Sequence, residues 1–227
     1  MAVSLSAREH YVTERELDIR LVDWLGALRG LPGRRPLPPL GGRGGLVLLD
    51  LQRLFIDPRS PAFLPGWEGV RGRCAALLAG FRAAGRPVLW TRHVHSGGDD
   101  GGAVALMGGR PIRPDDPLSA LHDDWTPLDG EKVVEKSRYS LAERGGLEAF
   151  LPAGAVAVLA GVVTHRCVLA VAVEASSRDL PCVVAADATA STNERMHESA
   201  LAVLAGGFAY VASVAEILAA LGAKEAI

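Results

Sequence analysis

Six short apolar runs recur along this chain, each spaced from the next by a longer stretch. They cover 46–49 (LVLL), 88–91 (VLWT), 132–135 (KVVE), 156–159 (VAVL), 183–186 (VVAA) and 208–211 (FAYV). Each is too short for a helix and reads as a buried strand. Helical patterns stand at 70–84, 140–150, 167–178, 193–204 and 214–221. Strands separated by such crossovers must run parallel, with helices on both faces of one sheet. The expected fold is a three-layer α-β-α domain with a six-stranded parallel sheet, in the order 3-2-1-4-5-6. The 92–129 stretch breaks the rhythm. It is rich in Gly, Pro and Asp and reads as a long loop with short helices at most, the usual place of a substrate loop.

In front of the first strand, 6–28 has the spacing of an amphipathic helix. Leu17, Leu21, Trp24, Leu25 and Leu28 fall on one stripe, and Ser4 or Ser6 is the expected cap. A breaker-rich connector follows at 30–45 (GLPGRRPLPPLGGRGG). We therefore divide the chain into an arm over 1–45 and a main domain over 46–227. Whether the arm docks on its own domain or on a neighbouring subunit is open at this stage. With 227 residues, 49 % of them hydrophobic, the chain can bury a large core. A net charge of −2 argues against nucleic acid as a partner. Apolar runs stay well short of the ~20 residues a membrane span needs. Three cysteines without metal-type spacing and no basic-then-apolar leader suggest reduced thiols in the cytoplasm.

Three ionisable residues fall at the ends of expected strands: Asp50 in LVLLD, Lys136 in VVEK, and Cys167 in GVVTHRCV. In a parallel sheet these ends share one edge, where open α/β sheets carry their sites. Taken singly, an Asp there caps a turn, a Lys is solvated and a Cys packs the core. Taken together they put a carboxylate, an ammonium and a thiol in reach of one another. Cys167 is expected at the start of a helix, whose free N–H groups and dipole favour a thiolate. A reactive, low-pKa Cys167 is the expectation, with Cys74 and Cys182 unreactive.

The same positions carry a resemblance. Asp50, Gln52 and Phe55, then Lys136, Tyr139 and Ser140, then Gly161, Val162, Thr164, Cys167 and Val168, then Asp187 and Ala188 occur in this order. The pattern resembles the isochorismatase-like cysteine hydrolase superfamily, in its nicotinamidase and N-carbamoylsarcosine amidohydrolase branch. It spans about 46–221. The resemblance implies Cys167 as nucleophile, Asp50 as general base and Lys136 as the cation that holds both. It implies an oxyanion hole from the N–H groups of Val163 and Cys167, beside a cis Val162–Val163 peptide. It also implies a homo-oligomer, dimer or tetramer.

A thiol in this role points to hydrolysis of a C–N bond, in an amide or carbamoyl group of a small molecule, through a thioester. The alternatives are vinyl-ether cleavage of the isochorismatase type, which needs no thiol, and a non-catalytic binding protein on the same fold. Nicotinamidases hold a metal through an Asp and several His after the second strand. Here WTRHVHS offers His93 and His95 but replaces that Asp by His, so no metal or other cofactor is expected. Substrate contacts are expected from Gln52, Phe55, Trp90, Arg92, His93, Trp125, Tyr139 and Thr164. Arg138 and Arg166 are further candidates for a substrate carboxylate.

Overall fold

The computed structural model describes residues 7–106 and 110–222. Six strands form one parallel sheet: β1 (Gly44–Leu49), β2 (Val88–His93), β3 (Lys132–Lys136), β4 (Val156–Val162), β5 (Cys182–Ala190) and β6 (Tyr210–Ala212). Their spatial order is β3-β2-β1-β4-β5-β6, as expected. Strands β1, β4 and β5 are buried along their whole length, which is why they read as continuous apolar runs. Helices pack on both faces: α3 (Trp67–Ala83) and α7 (Val214–Gly222), α5 (Leu169–Ser176) and α6 (Glu194–Gly207), with short α2 (Arg53–Ile56) and α4 (Gly102–Leu106) near the carboxyl edge.

The chain order reverses at β1, between β2 and β4. This is the switch point at which a crevice opens above the carboxyl ends. The register aligns the strand ends around that crevice: Leu49 sits beside Gly161, and His93 beside Lys136.

The sequence reading fails at three elements. Expected helix 140–150 is two short 3₁₀ turns, Ala142–Arg144 and Leu147–Ala149. Gly145 and Gly146 between them take φ of 86° and 76°, a left-handed kink no helix accommodates. Strand β5 runs on through Asp187 to Ala190, so Asp187 lies inside it. Its buried carboxylate accepts the Val214 N–H at 2.7 Å and starts α7.

The third is the arm. Helix α1 covers Leu17–Ala27 only; Ser4 and Ser6 lie outside the described residues. Residues 7–13 form no helix; Tyr11 and Val12 are buried in the core instead. A Thr13–Glu16 turn, with Thr13 Oγ1 donating to Glu16 at 2.7 Å, then leads into the helix. Leu17, Trp24, Leu28 and Leu40 join the same core as the sheet, so the arm docks on its own chain. Burying each such side chain contributes about 1.5–3 kcal/mol.

Candidate active site

Asp50 follows β1, Lys136 ends β3, and Cys167 follows β4 in a π-helical turn, Thr164–Val168, that leads into α5. Gly161 lets β4 press close to β1 just before that turn. It has φ +107°, and a Cβ there would lie 2.3 Å from the Leu49 carbonyl oxygen. The following Val162–Val163 peptide is cis, as the resemblance implied. The structure brings the three ends together. Lys136 Nζ donates to Asp50 Oδ2 at 2.8 Å and to Cys167 Sγ at 3.3 Å. It also reaches the Arg138 carbonyl at 3.3 Å and His93 Nδ1 at 3.4 Å. Asp50 and Lys136 have no exposed surface, and Cys167 has 5 %.

Burying an ion pair is costly unless its remaining lone pairs are satisfied. Thr91 satisfies them. Its Oγ1 donates to Asp50 Oδ1 at 2.6 Å and accepts the Asp50 N–H at 3.1 Å. The carboxylate is thus held at one oxygen by a hydroxyl and at the other by an ammonium. Thr91 was missed in the sequence. The signal was available: alternation along β2 puts Thr91 and His93 on one face, at the strand end nearest Asp50.

Burial by itself would raise the Asp50 pKa. Lys136, His93 and the Cys167 thiol outweigh it and hold the carboxyl below its usual range. Burial would lower the Lys136 pKa, but Asp50 and Cys167 raise it on balance. The expected low-pKa Cys167 is overturned. Burial first, and then Asp50, push its thiol up to about 12, with Lys136 offsetting only part. The helix-start argument fails because Cys167 is the fourth residue of a π turn, buried and next to a carboxylate. The resting site is therefore a thiol, a carboxylate and an ammonium.

Burial and Lys136 drive the His93 pKa down to about 4, so its ring is neutral. The ring lies 4.8 Å from that of His95 and 6.2 Å from Tyr139. His95 Nδ1 accepts the Ile112 N–H at 3.0 Å, which places the ring proton on Nε2.

Other expected contact residues have different partners. Gln52 is fully buried; its amide N–H groups donate to the carbonyls of His93 (3.1 Å) and Ser119 (2.7 Å), and its oxygen accepts the His93 N–H (2.7 Å). It pins the end of β2 to the loop. Trp90 points to the opposite face of β2, donates to Glu131 at 2.8 Å and lies under the Arg82 guanidinium. Trp125 packs edge-on against Trp67 at 5.4 Å. Arg92 pairs with Glu135 at 3.5 Å. Thr164 bonds His197 at 3.0 Å. Arg138 grips Asp99 of the long loop at 3.1 Å, while Arg166 is exposed. Tyr139 lies 6.2 Å from His93, while half-buried Phe55 packs against the hydrophobic core. Two surface cavities, of about 290 and 310 Å³, lie elsewhere: one at the amino ends of β5 and β6, one between Arg53, Arg59 and Leu118.

Residues 45–216 match the family model described as the isochorismatase domain. The chain is 31 % identical to ureidoacrylate amidohydrolase RutB of Methylobacterium radiotolerans, over 78 % of this chain and 79 % of that one. It is 30 % identical to nicotinamidase 3 of Arabidopsis thaliana, over 73 % and 82 %. A cysteine hydrolase structure from Pseudomonas syringae superposes with a TM-score of 0.72 at 20 % identity, covering 85 % of this chain and 97 % of that one. Matched by that model over 45–216, with Asp50, Lys136 and Cys167 meeting at the carboxyl edge of its sheet and with relatives named ureidoacrylate amidohydrolase and nicotinamidase, the chain belongs to the isochorismatase family.

Proposed function

We propose that Cys167, Asp50 and Lys136 hydrolyse the C–N bond of a small N-carbamoyl or amide compound. The observation that supports this most is Lys136 Nζ, in contact with both Asp50 Oδ2 and Cys167 Sγ. A ureido or amide substrate accords with the relatives named ureidoacrylate amidohydrolase and nicotinamidase.

Cys167 Sγ attacks the carbonyl carbon while its proton passes to Asp50. A thiol with a pKa near 12 needs that base in contact, since thiolate is scarce at neutral pH. The oxyanion accepts from the N–H groups of Val163 and Cys167. Collapse breaks the C–N bond, and Asp50 returns its proton to the leaving nitrogen. Water then attacks the thioester and gives a proton to Asp50. The acid leaves, and the proton returns to sulfur. Lys136 keeps Asp50 ionised between steps. Ether cleavage uses no thiol, and a buried thiol held against a carboxylate and an ammonium favours the C–N reading over it and over a non-catalytic role.

We take the site to be metal-free. Both His93 and His95 have Nδ1 engaged, so Nε2 carries the proton and lacks the lone pair a metal needs. The cluster of Asp50, His93 and Cys167 has its donor atoms within 4.8 Å of one another, but the Lys136 ammonium already touches all three. We place the enzyme in the cytoplasm, consistent with three free cysteines. We take it to be a homo-oligomer; exposed Ile19 and Val22 on α1 offer apolar surface for that. No described helix is long and apolar enough to cross a membrane.

The test is a panel of N-carbamoyl amino acids, ureido acids and primary amides, read by ammonia release and by mass spectrometry of acid-quenched enzyme. A substrate-derived acyl mass on Cys167 supports the reading. Turnover that survives Cys167→Ala contradicts it.

A further inference from the structure

The family model begins at residue 45, yet the arm in front of it reaches the nucleophile turn by two routes. Tyr11 and Trp24, both buried, are the contact points. In the first route the Tyr11 phenolic oxygen accepts the Ser191 N–H at 3.0 Å. Ser191 Oγ in turn bonds His165 Nδ1 at 2.6 Å. In the second the His197 ring, fully buried on α6, packs edge-on against Trp24 at 4.6 Å and lies 5.8 Å from Tyr11. His197 Nδ1 bonds Thr164 Oγ1 at 3.0 Å. Thr164 and His165 are the first two residues of the π turn that presents Cys167.

The arm is fastened where these routes need it. Glu9 N–H donates to the Thr192 carbonyl at 2.8 Å, and Trp24 Nε1 donates to Glu194 at 3.0 Å. Helix α3 and the residue before it leave room for it: a Cβ on Gly66 would lie 2.2 Å from the Tyr11 ring, and one on Gly69 2.6 Å from the Val12 carbonyl oxygen. A π turn lacks the regular i to i−4 ladder. Side chains of its first two residues, Thr164 and His165, are held by His197 and Ser191 from outside the turn.

We propose that the arm is a positioning element of the active site, with Tyr11 and Trp24 fixing the direction of Cys167 Sγ through Ser191–His165 and His197–Thr164. The inference rests on Cys167 being the nucleophile. It makes the arm part of the working enzyme, although the residues that perform the chemistry all lie in the family domain.

The experiment uses the full chain with Tyr11→Phe, which removes only the oxygen, and Trp24→Phe, which shrinks the ring against His197. Asp18→Ala is the control; it removes an exposed ion pair between the arm and Arg73. Each is read by melting temperature, by kcat and KM separately, and by the iodoacetamide labelling rate of Cys167 well below the melting temperature. The proposal expects kcat and Cys167 labelling to change at least about fivefold in both Phe variants, with KM near wild type. It expects Asp18→Ala to leave both rates unchanged. Phe variants that melt lower but keep wild-type kcat and labelling would overturn it, leaving the arm as structural support. Loss of the nucleophile reading is separately visible: Cys167→Ala would then retain turnover.

Discussion

Two cysteines stand at opposite edges of neighbouring strands. Cys167 follows β4 at the carboxyl edge; Cys182 opens β5 at the amino edge. Both are buried, and burial pushes both thiols up to about 12. Exposure does not separate them, 5 % at Cys167 against 2 % at Cys182, which lines a cavity of about 290 Å³. What it lacks is company: the charge that acts on it is Glu148, which raises its pKa further. Cys167 has Asp50 as proton acceptor and Lys136 at 3.3 Å. On the reading proposed above, reactivity comes from a base and a cation in contact, and not from a thiolate stored in the resting enzyme.

The largest test of that contrast is truncation of each thiol. We expect Cys167→Ala to cost about 10³-fold or more in turnover, and Cys182→Ala to stay within about twofold, both read as kcat. Lys136→Ala comes next. It strands the Asp50 carboxylate in the core and should destabilise by about 3–5 kcal/mol, read in denaturant. Lys136→Met fills the space and should lose less stability, yet lose turnover equally. Equal activity in either variant would break the contrast.

A third test uses pH. The thiols of Cys74, Cys167 and Cys182 are all raised by burial. The folded state therefore keeps protons that the unfolded state loses above about pH 8.5. Their contribution to stability is complete below that pH and declines as pH rises toward the folded values. The raised Lys136 pKa adds a decline above about pH 10.4. Depressed Asp50 works on the acid side: its contribution is present above about pH 3.9 and is lost as pH falls through its lower folded value. A flat melting temperature between pH 8 and 11 would contradict this. The smallest effect is Thr91→Val. Without its hydroxyl the Asp50 pKa rises, so the acid limb of the rate profile should move to higher pH, with about a tenfold loss of kcat.

Much of this was legible beforehand because period and residue type carry it. Buried strands read as apolar runs, and the strand-end positions of Asp50, Lys136 and Cys167 follow from them. The misreadings have a common physical origin. Trp90 and Trp125 were placed by their type, but the strand's alternation and a partner in the core decided where each ring went. Gln52 has the residue type of a substrate contact, but its two-ended amide satisfies backbone instead. The helix expected over 6–28 had the right stripe, but Tyr11 and Val12 gain more by inserting beside α3 than by continuing a helix. Position before a helix suggests a dipole-stabilised thiolate at Cys167, but its buried, π-helical setting beside Asp50 raises the thiol pKa instead. Contacts from distant segments, such as Tyr11 on Ser191 or Trp24 on His197, have no local pattern to read.

The decisive measurement is the iodoacetamide labelling rate of each cysteine at pH 7, by peptide mass, in wild type and in Asp50→Asn. We expect Cys167 to be labelled faster than Cys182 and Cys74, and Asp50→Asn to slow Cys167 to their level, because its proton has lost its acceptor. Were Asp50 only a negative charge that suppresses the thiolate, the same substitution would speed Cys167, and the assignment of Asp50 as its base would be wrong.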